Sequence, residues 1–155
     1  MSENHDYFMA LALERGRAAA EKGECPTCAL VVKNGKIVGQ GLNTVLADTD
    51  PSAHAEVNAI RDACTKLHTL DLAGSTLYCT LESCPMCLST LFEVGITRMV
   101  LGARHARAGI TRHGGYTVES FLALTGRELE FVTGVREAEC EAAQLEWRGS
   151  RPSTG

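Results

Sequence analysis

Two Cys-x-x-Cys pairs are the first candidates for metal chemistry in this chain. Cys25 and Cys28 enclose Pro-Thr, whereas Cys84 and Cys87 enclose Pro-Met. Because Pro85 suits the first position of a helix, Cys84 is predicted at the N-cap and Cys87 at the third helical position. The N–H groups and dipole of a helix start favour thiolate, the form of cysteine that binds metal. The spacing alone leaves core packing and a redox dithiol open.

The segment His-Ala-Glu supplies a second set of chemically active side chains. Cap residues precede it and a helical apolar pattern follows, so a helix is predicted to open near His54. His54 and Glu56 then share its first turn, where the imidazole can face a metal and the carboxylate can reach the space beside it. A capping or core role for His54, and an exposed helix charge for Glu56, are the structural alternatives.

Together these residues form a ligand set with a definite chemical preference. Two thiolates and one neutral imidazole suit zinc, and three protein ligands leave the fourth tetrahedral position to water, as in catalytic sites. Glu56 is then placed to move protons during hydrolysis. In the alternative of a non-catalytic zinc protein, His54, Cys84 and Cys87 only hold two helices together, and Glu56 has no role.

The elements that must position these residues alternate between helix and strand. Asn34-Gly35 is predicted to be the tight turn of a hairpin, and a strand–helix–strand unit around Cys84 implies parallel pairing. About five strands and five helices form a layered α/β domain with helices on both sheet faces. The predicted helices are 6–21, from 54 onward, 84–94, 116–126 and 135–147, and the predicted strands are 29–32, 37–42, 75–80, 98–103 and 128–133.

Length and composition narrow the class of protein. At 155 residues, with 45% apolar and 22% charged residues, we expect one domain spanning 1–155 with a short polar tail at 149–155. A net charge of −4 argues against broad affinity for nucleic acid. The seven cysteines, an odd number without an export signal, favour reduced thiols, so we expect a cytoplasmic protein without membrane contact.

The motifs in combination resemble one enzyme family. The stretches GQGLN, DPSAHAEVNAIR, TLYCTLESCPMC and VLGAR are similar to the cytidine/deoxycytidylate deaminase superfamily, in the branch of guanine deaminases, cytosine deaminases and tRNA adenosine deaminases. This resemblance implies a three-layer α/β/α sandwich with a mixed five-stranded sheet. It implies Zn²⁺ on His54, Cys84 and Cys87, with Glu56 as the catalytic proton shuttle. The activity implied is hydrolysis of a C–N bond in a cyclic amidine, with release of ammonia.

The resemblance also indicates residues that contact the substrate. Asn43 matches an asparagine that hydrogen-bonds the substrate, although a turn role is its alternative, and the backbone around Ala55 and Ser83 is expected to line the pocket. Two residues depart from the family pattern: Cys28 stands where glycine is usual, and Ser83 where proline is usual. We therefore expect Cys25 and Cys28 to be pocket or packing residues, not ligands, with Cys28 influencing which ring enters.

We expect the substrate to be a free nucleobase or related amino-heterocycle: guanine, cytosine or an s-triazine. A tRNA-specific adenosine deaminase is the alternative, and Trp147 is either a lid over the pocket or a packing residue. The last helix is acidic, which argues against a phosphate partner and makes nucleic acid unexpected. By resemblance we expect a homodimer. The arginines that could contact phosphate are Arg104, Arg107 and Arg112 in a loop, and the acidic residues of the last helix are Glu137, Glu139, Glu141 and Glu146.

Overall fold

The computed structural model describes residues 4–151. Within that range the helices are α1 (His5–Ala20), α2 (Val45–Asp48), α3 (Ala55–Leu67), α4 (Pro85–Glu93), α5 (Val118–Thr125) and α6 (Glu137–Ser150). The strands are β1 (Cys28–Lys33), β2 (Lys36–Leu42), β3 (Thr76–Leu81), β4 (Arg98–Ala103) and β5 (Glu130–Val132).

The five strands form one mixed sheet in the order β2-β1-β3-β4-β5. Strand β1 pairs antiparallel with β2 and β3, whereas the β3–β4 and β4–β5 pairs are parallel. Alternate side chains of β3 enter different cores, because successive residues of a strand face opposite sides. Leu77 and Cys79 pack with α3 and α4, and Tyr78 packs with α1 and α6. The predicted three-layer sandwich with a mixed five-stranded sheet is therefore confirmed.

Most predicted elements lie within a few residues of the observed ones. Asn34 and Gly35 have φ values of 52° and 72°, as a two-residue hairpin turn requires. The four-residue helix α2 was missed, because such a short segment shows no apolar periodicity. Helix α6 continues through Ser150, so the first two residues of the predicted tail are helical. Residues 152–155 of that tail lie outside the described range, and the single-domain assignment stays a prediction.

Two glycines of β2 allow α3 to lie very close to the sheet. A Cβ atom on Gly41 would come within 2.2 Å of the Ala55 carbonyl oxygen, and one on Gly39 within 2.4 Å of the Ala59 carbonyl oxygen. Asn58 of α3 also donates from Nδ2 to the Leu42 carbonyl oxygen at 2.8 Å. These contacts fix the first turn of α3, which carries His54 and Glu56, against the end of β2.

Across residues 4–151, none of the helices combines the length and the apolar character that a membrane crossing requires.

Candidate active site

The N-termini of α3 and α4 meet and bring the predicted metal ligands together. His54 is the N-cap of α3 and Cys84 the N-cap of α4, and both have extended backbones, with ψ values of 155° and 170°. Pro85 occupies the first turn of α4, which places Cys87 one turn into the helix beside Cys84. The parallel β3–α4–β4 unit sets the position of α4, and the β2 glycines set that of α3.

The three potential ligand atoms form a nearly equilateral triangle. Cys84 Sγ lies 3.6 Å from Cys87 Sγ and 3.6 Å from His54 Nδ1, and Cys87 Sγ lies 3.4 Å from the same nitrogen. A tetrahedral zinc ion with Zn–S near 2.3 Å and Zn–N near 2.1 Å separates its ligand atoms by roughly 3.6–3.8 Å. The donor set and its spacing therefore fit zinc, and within residues 4–151 these side chains form a group suited to holding a metal.

The protonation of these groups favours metal binding at Cys84. The contact with Cys87, aided by His54, holds the pKa of the Cys84 thiol well below its usual range. The same sulfur–sulfur contact raises the pKa of Cys87, since two neighbouring thiols cannot easily both ionise without a cation between them. Cys84 also raises the pKa of His54 by accepting its hydrogen bond. A dication at the centre of the triangle would allow both thiols to ionise and His54 to be neutral.

Glu56 lies beside the three ligands in a setting suited to proton transfer. Its side chain is only 4% exposed, and burial raises the pKa of its carboxyl group. A carboxyl group with a raised pKa binds a proton more readily, which suits a group that must both accept and donate one. Glu56 lines the same cavity as His54 and Cys84, and the volume of that cavity is about 240 Å³.

The three predicted substrate contacts differ in their relation to this cavity. Asn43 and Ala55 line it. The Oδ1 atom of Asn43 accepts from the Val45 N–H at 3.1 Å, so the turn role holds for this oxygen. Ser83 is fully buried behind the cavity wall: its hydroxyl lies 3.6 Å from Met99 Sδ and its carbonyl accepts from the Tyr116 hydroxyl.

The first Cys-x-x-Cys pair is divided between two environments. Cys28 begins β1, is 1% exposed and packs in the core against α1. It does not line this cavity. Cys25 does line the cavity, together with Thr27. Of the two cysteines, Cys25 therefore reaches this cavity and Cys28 is buried at the start of β1, and the influence expected of Cys28 on the substrate stays a prediction.

A buried carboxylate that we did not single out from the sequence anchors the loop between β4 and α5. Glu82 is 2% exposed and accepts from Arg104 Nε at 3.1 Å and from the backbone N–H groups of His105 and Val118, both at 3.0 Å. Tyr116 of the same loop donates to Ser83, next to the ligand Cys84. The sequence signal was a lone Glu following an apolar strand, which is the residue type least often buried without a partner.

Cationic and aromatic side chains surround the mouth of the cavity. Arg112 comes from the loop after β4, whereas Trp147, Arg148 and Arg151 come from the end of α6 and the residue after it. Arg151 lies over the Trp147 ring, with its guanidinium carbon 4.6 Å from the ring centre. The Nε atom of Arg148 is buried and lacks a hydrogen-bond partner among the described residues.

Comparison with known proteins identifies the family. The profile of the cytidine and deoxycytidylate deaminase zinc-binding region matches residues 2–103, which is more than half of the chain. The chain therefore belongs to this family of zinc-binding deaminases, hydrolases that act on C–N bonds, as the sequence motifs predicted.

Individual relatives refine this placement. A tRNA-specific adenosine deaminase of Aquifex aeolicus is 41% identical over 104 residues, covering 67% of this chain and 69% of that protein. A structure from a study of A-to-I editing by tRNA:A34 deaminases is 31% identical with a TM-score of 0.78, covering 88% of this chain and 98% of the other. The guanine deaminase of Nitrosomonas europaea is 26% identical with a TM-score of 0.84, covering 96% and 87%.

These relatives overturn two expectations. The free nucleobase was wrong as the main substrate, since the relatives of higher identity are named tRNA-specific adenosine deaminases and the guanine deaminase is more distant in sequence. The expectation that nucleic acid is not a partner was wrong for the same reason. Its physical basis was the acidity of the last helix. Of the four glutamates, Glu146 precedes Trp147 and Glu141 lies 3.8 Å from Arg107, but Glu137 and Glu139 lie in the first turn of α6. The mouth is about 15 Å further along this helix.

Proposed function

We propose that this protein is a zinc-dependent adenosine deaminase that acts on tRNA and converts adenosine to inosine. The observation that carries this proposal is the placement of Arg112, Arg148, Arg151 and Trp147 around a cavity that holds His54 and Glu56. Such a mouth suits an RNA strand with one base turned inward. The identity to proteins named tRNA-specific adenosine deaminase supports the same substrate.

The arginines and the tryptophan match what single-stranded RNA offers. Proteins bind such RNA by neutralising phosphates with Arg or Lys and by stacking bases on aromatic rings. Arg112 and Arg151 are exposed, and Trp147 and Arg148 are half-buried, so all four can meet a ligand at the rim. Glu24 also lines the cavity, and Glu141 lies within ion-pair distance of Arg107 at 3.8 Å, away from this lining. The exposed arginines Arg112 and Arg151 therefore supply positive charge at the mouth, whereas Glu56 and Glu82, which also line the cavity, are buried.

In the proposed reaction His54, Cys84 and Cys87 hold zinc, which when bound lowers the pKa of a water from ~15.7 toward ~7. Glu56 takes the proton of the attacking water, and the oxygen forms a bond to C6 of the adenine. Glu56 donates this proton to the neighbouring ring nitrogen N1. It then takes the second proton from the new C6 hydroxyl and donates it to the amino group, so that the C6–N bond breaks and ammonia leaves while C6=O forms, and one carboxyl group serves as base and acid. Adenosine and water are converted to inosine and ammonia.

The remaining site residues hold the base. We assign Asn43 and the backbone at Ala55 to substrate binding, because both line the cavity. The backbone at Ser83 acts indirectly: its carbonyl is anchored by Tyr116, which steadies the chain immediately before Cys84. None of the seven cysteines forms a disulfide, which supports a reducing, cytoplasmic location where tRNA is found. A homodimer stays a prediction.

The test compares ammonia release by the zinc-loaded protein from a tRNA anticodon stem-loop carrying adenosine, from the same stem-loop made of DNA, and from free adenine and adenosine, and identifies the product in the RNA. The proposal predicts inosine in the RNA, with kcat/KM at least about tenfold above the free compounds, because the mouth contributes binding energy only to the polymer. Equal or greater activity on free adenine would refute it.

A further inference from the structure

A second group of polar side chains borders the same cavity, away from the metal ligands. Cys25 and Thr27 lie in the segment between α1 and β1, and both line the cavity. Gln144 of α6 reaches them from behind. Thr27 is 5% exposed and Gln144 is 1% exposed, so their polar atoms are shielded from bulk water and depend on each other for hydrogen bonds.

The three side chains form a cyclic set of contacts. Gln144 Nε2 donates to Thr27 Oγ1 at 2.8 Å, and the Cys25 thiol faces Gln144 Oε1 at 3.8 Å. Cys25 Sγ lies 3.2 Å from Thr27 Oγ1. Because the Thr27 oxygen accepts from Gln144 and the thiol hydrogen is directed at Gln144, the hydroxyl hydrogen of Thr27 is the donor that points to sulfur.

Sulfur is a weak acceptor, so the hydrogen bond from the Thr27 hydroxyl to Cys25 Sγ is weak. A ligand atom in the cavity that accepts more strongly than a thiol can capture the hydrogen, while the bond from Gln144 continues to hold the Thr27 side chain in place. Ring nitrogens of a purine are acceptors of this kind. N1 is the nitrogen that Glu56 protonates in the proposed reaction, which leaves N3 and N7.

We infer that the Thr27 hydroxyl donates a hydrogen bond to N3 or N7 of the target adenine and thereby contributes to substrate specificity, with Cys25 as the acceptor it leaves. The inference rests on the proposed function for the identity of the ring. Thr27 is a specificity-determining residue in this account, and Gln144 is the residue that positions it.

The main experiment measures kcat/KM on stem-loop RNA carrying adenosine, 3-deazaadenosine or 7-deazaadenosine at the target position. Thr27→Val should lower kcat/KM on adenosine by about threefold to tenfold, the loss expected for one neutral hydrogen bond, and Thr27→Ser by less than about twofold. One of the deaza substrates should slow the wild type by a similar factor, with no further loss in Thr27→Val. The inference would be overturned if Thr27→Val had the kcat/KM of wild type on adenosine. It would also be overturned if the substitution lowered kcat/KM by the same factor on both deaza substrates as on adenosine.

Variants of Cys25 provide a second test that leaves Thr27 and its bond to Gln144 intact. Cys25→Ser offers a stronger competing acceptor and should lower kcat/KM several-fold, whereas Cys25→Ala removes the competitor and should have a kcat/KM clearly above that of Cys25→Ser. Equal losses in both variants would contradict the inference, because packing alone would then explain them.

A binding measurement separates this inference from the proposed function. If the wild type does not act on the RNA, the proposed function fails, and Thr27 is judged by iodoacetamide labelling of Cys25, followed by peptide mass spectrometry. Purine riboside, which carries N3 and N7, should slow the labelling in zinc-loaded wild type and protect less in Thr27→Val. Equal protection in both proteins, or none in wild type, would refute the assignment of Thr27.

Discussion

Cys87 Sγ lies 3.4 Å from His54 Nδ1, although the two residues are 33 positions apart in the chain. This contact joins the N-terminal ends of α3 and α4. Helix α3 follows the antiparallel β1–β2 hairpin, and α4 belongs to the parallel β3–α4–β4 unit. Every proposed function of the chain depends on it, because the ligand set is incomplete if either helix is displaced.

Zinc content gives the first prediction. Cys87→Ser should lower zinc occupancy, measured by mass spectrometry of the metal after dialysis, from about one per chain by at least tenfold, because hydroxyl oxygen is a poor substitute for thiolate. Cys64→Ser is the matched control: Cys64 is half-buried on α3 and outside the ligand group. Full zinc occupancy in Cys87→Ser would show that other residues hold the metal.

A second prediction concerns the close packing of α3 on β2. Gly41→Ala places a Cβ atom 2.2 Å from the Ala55 carbonyl oxygen, which a backbone group cannot avoid without moving the first turn of α3. Overpacking of this kind costs about 1–3 kcal/mol of unfolding free energy, and the displacement should also reduce zinc occupancy. Gly115→Ala is the control, since a Cβ there meets nothing within 4 Å. Urea unfolding curves that coincide for both variants would contradict this packing.

The arginines at the mouth give a third prediction, on RNA affinity. Arg148→Ala and Arg151→Ala should each weaken binding of the stem-loop, measured by fluorescence anisotropy, and each should reduce the salt dependence of log K by about 0.7 for a lost phosphate contact to single-stranded RNA. Arg127→Ala is the control, because Arg127 lies over the Phe92 ring and not at the cavity. If Arg148→Ala and Arg151→Ala both kept the salt dependence of wild type, as the control should, the mouth would not be part of the RNA-binding surface.

A fourth prediction uses the buried thiols. Burial raises the pKa of Cys28 and of Cys140 from 9.0 to about 12. The folded chain thus keeps protons that the unfolded chain loses above about pH 9, so the contribution of these two thiols to the free energy of unfolding should be constant below pH 8 and fall as pH rises. Well above pH 9 each thiol should contribute a fall of about 1.4 kcal/mol per pH unit. Cys140→Ala should show a shallower fall between pH 8 and 10.5; a slope equal to that of wild type would contradict the burial of Cys140.

Local rules predicted the elements apart from the short helix α2, and they placed the candidate metal ligands at helix starts. The Pro85 and cap patterns placed Cys84 and His54 at helix starts, and the same patterns placed Glu56 and Cys87 within the first turns. Those starts are also where the structure has them. Residue types and spacing determine such positions because they act within one turn of a helix.

The rest depends on contacts between distant segments, which local patterns do not encode. Counting charges along α6 concealed the separation between its acidic first turn and the basic residues Arg148 and Arg151 at the mouth. The likeness of the two Cys-x-x-Cys pairs similarly concealed that Cys25, rather than Cys28, reaches the cavity. In both cases the position of a residue relative to another element decided its role.

The central claim is that Glu56, beside zinc held by His54, Cys84 and Cys87, transfers the protons for deamination of adenosine in tRNA. The most direct measurement is inosine formation on the anticodon stem-loop by wild type and by Glu56→Gln, with zinc content measured in the same samples. We predict that both proteins hold about one zinc per chain and that Glu56→Gln is slower by about 10²–10⁴-fold, the usual contribution of a general acid–base. A zinc-loaded Glu56→Gln protein that forms inosine at the wild-type rate would contradict the claim.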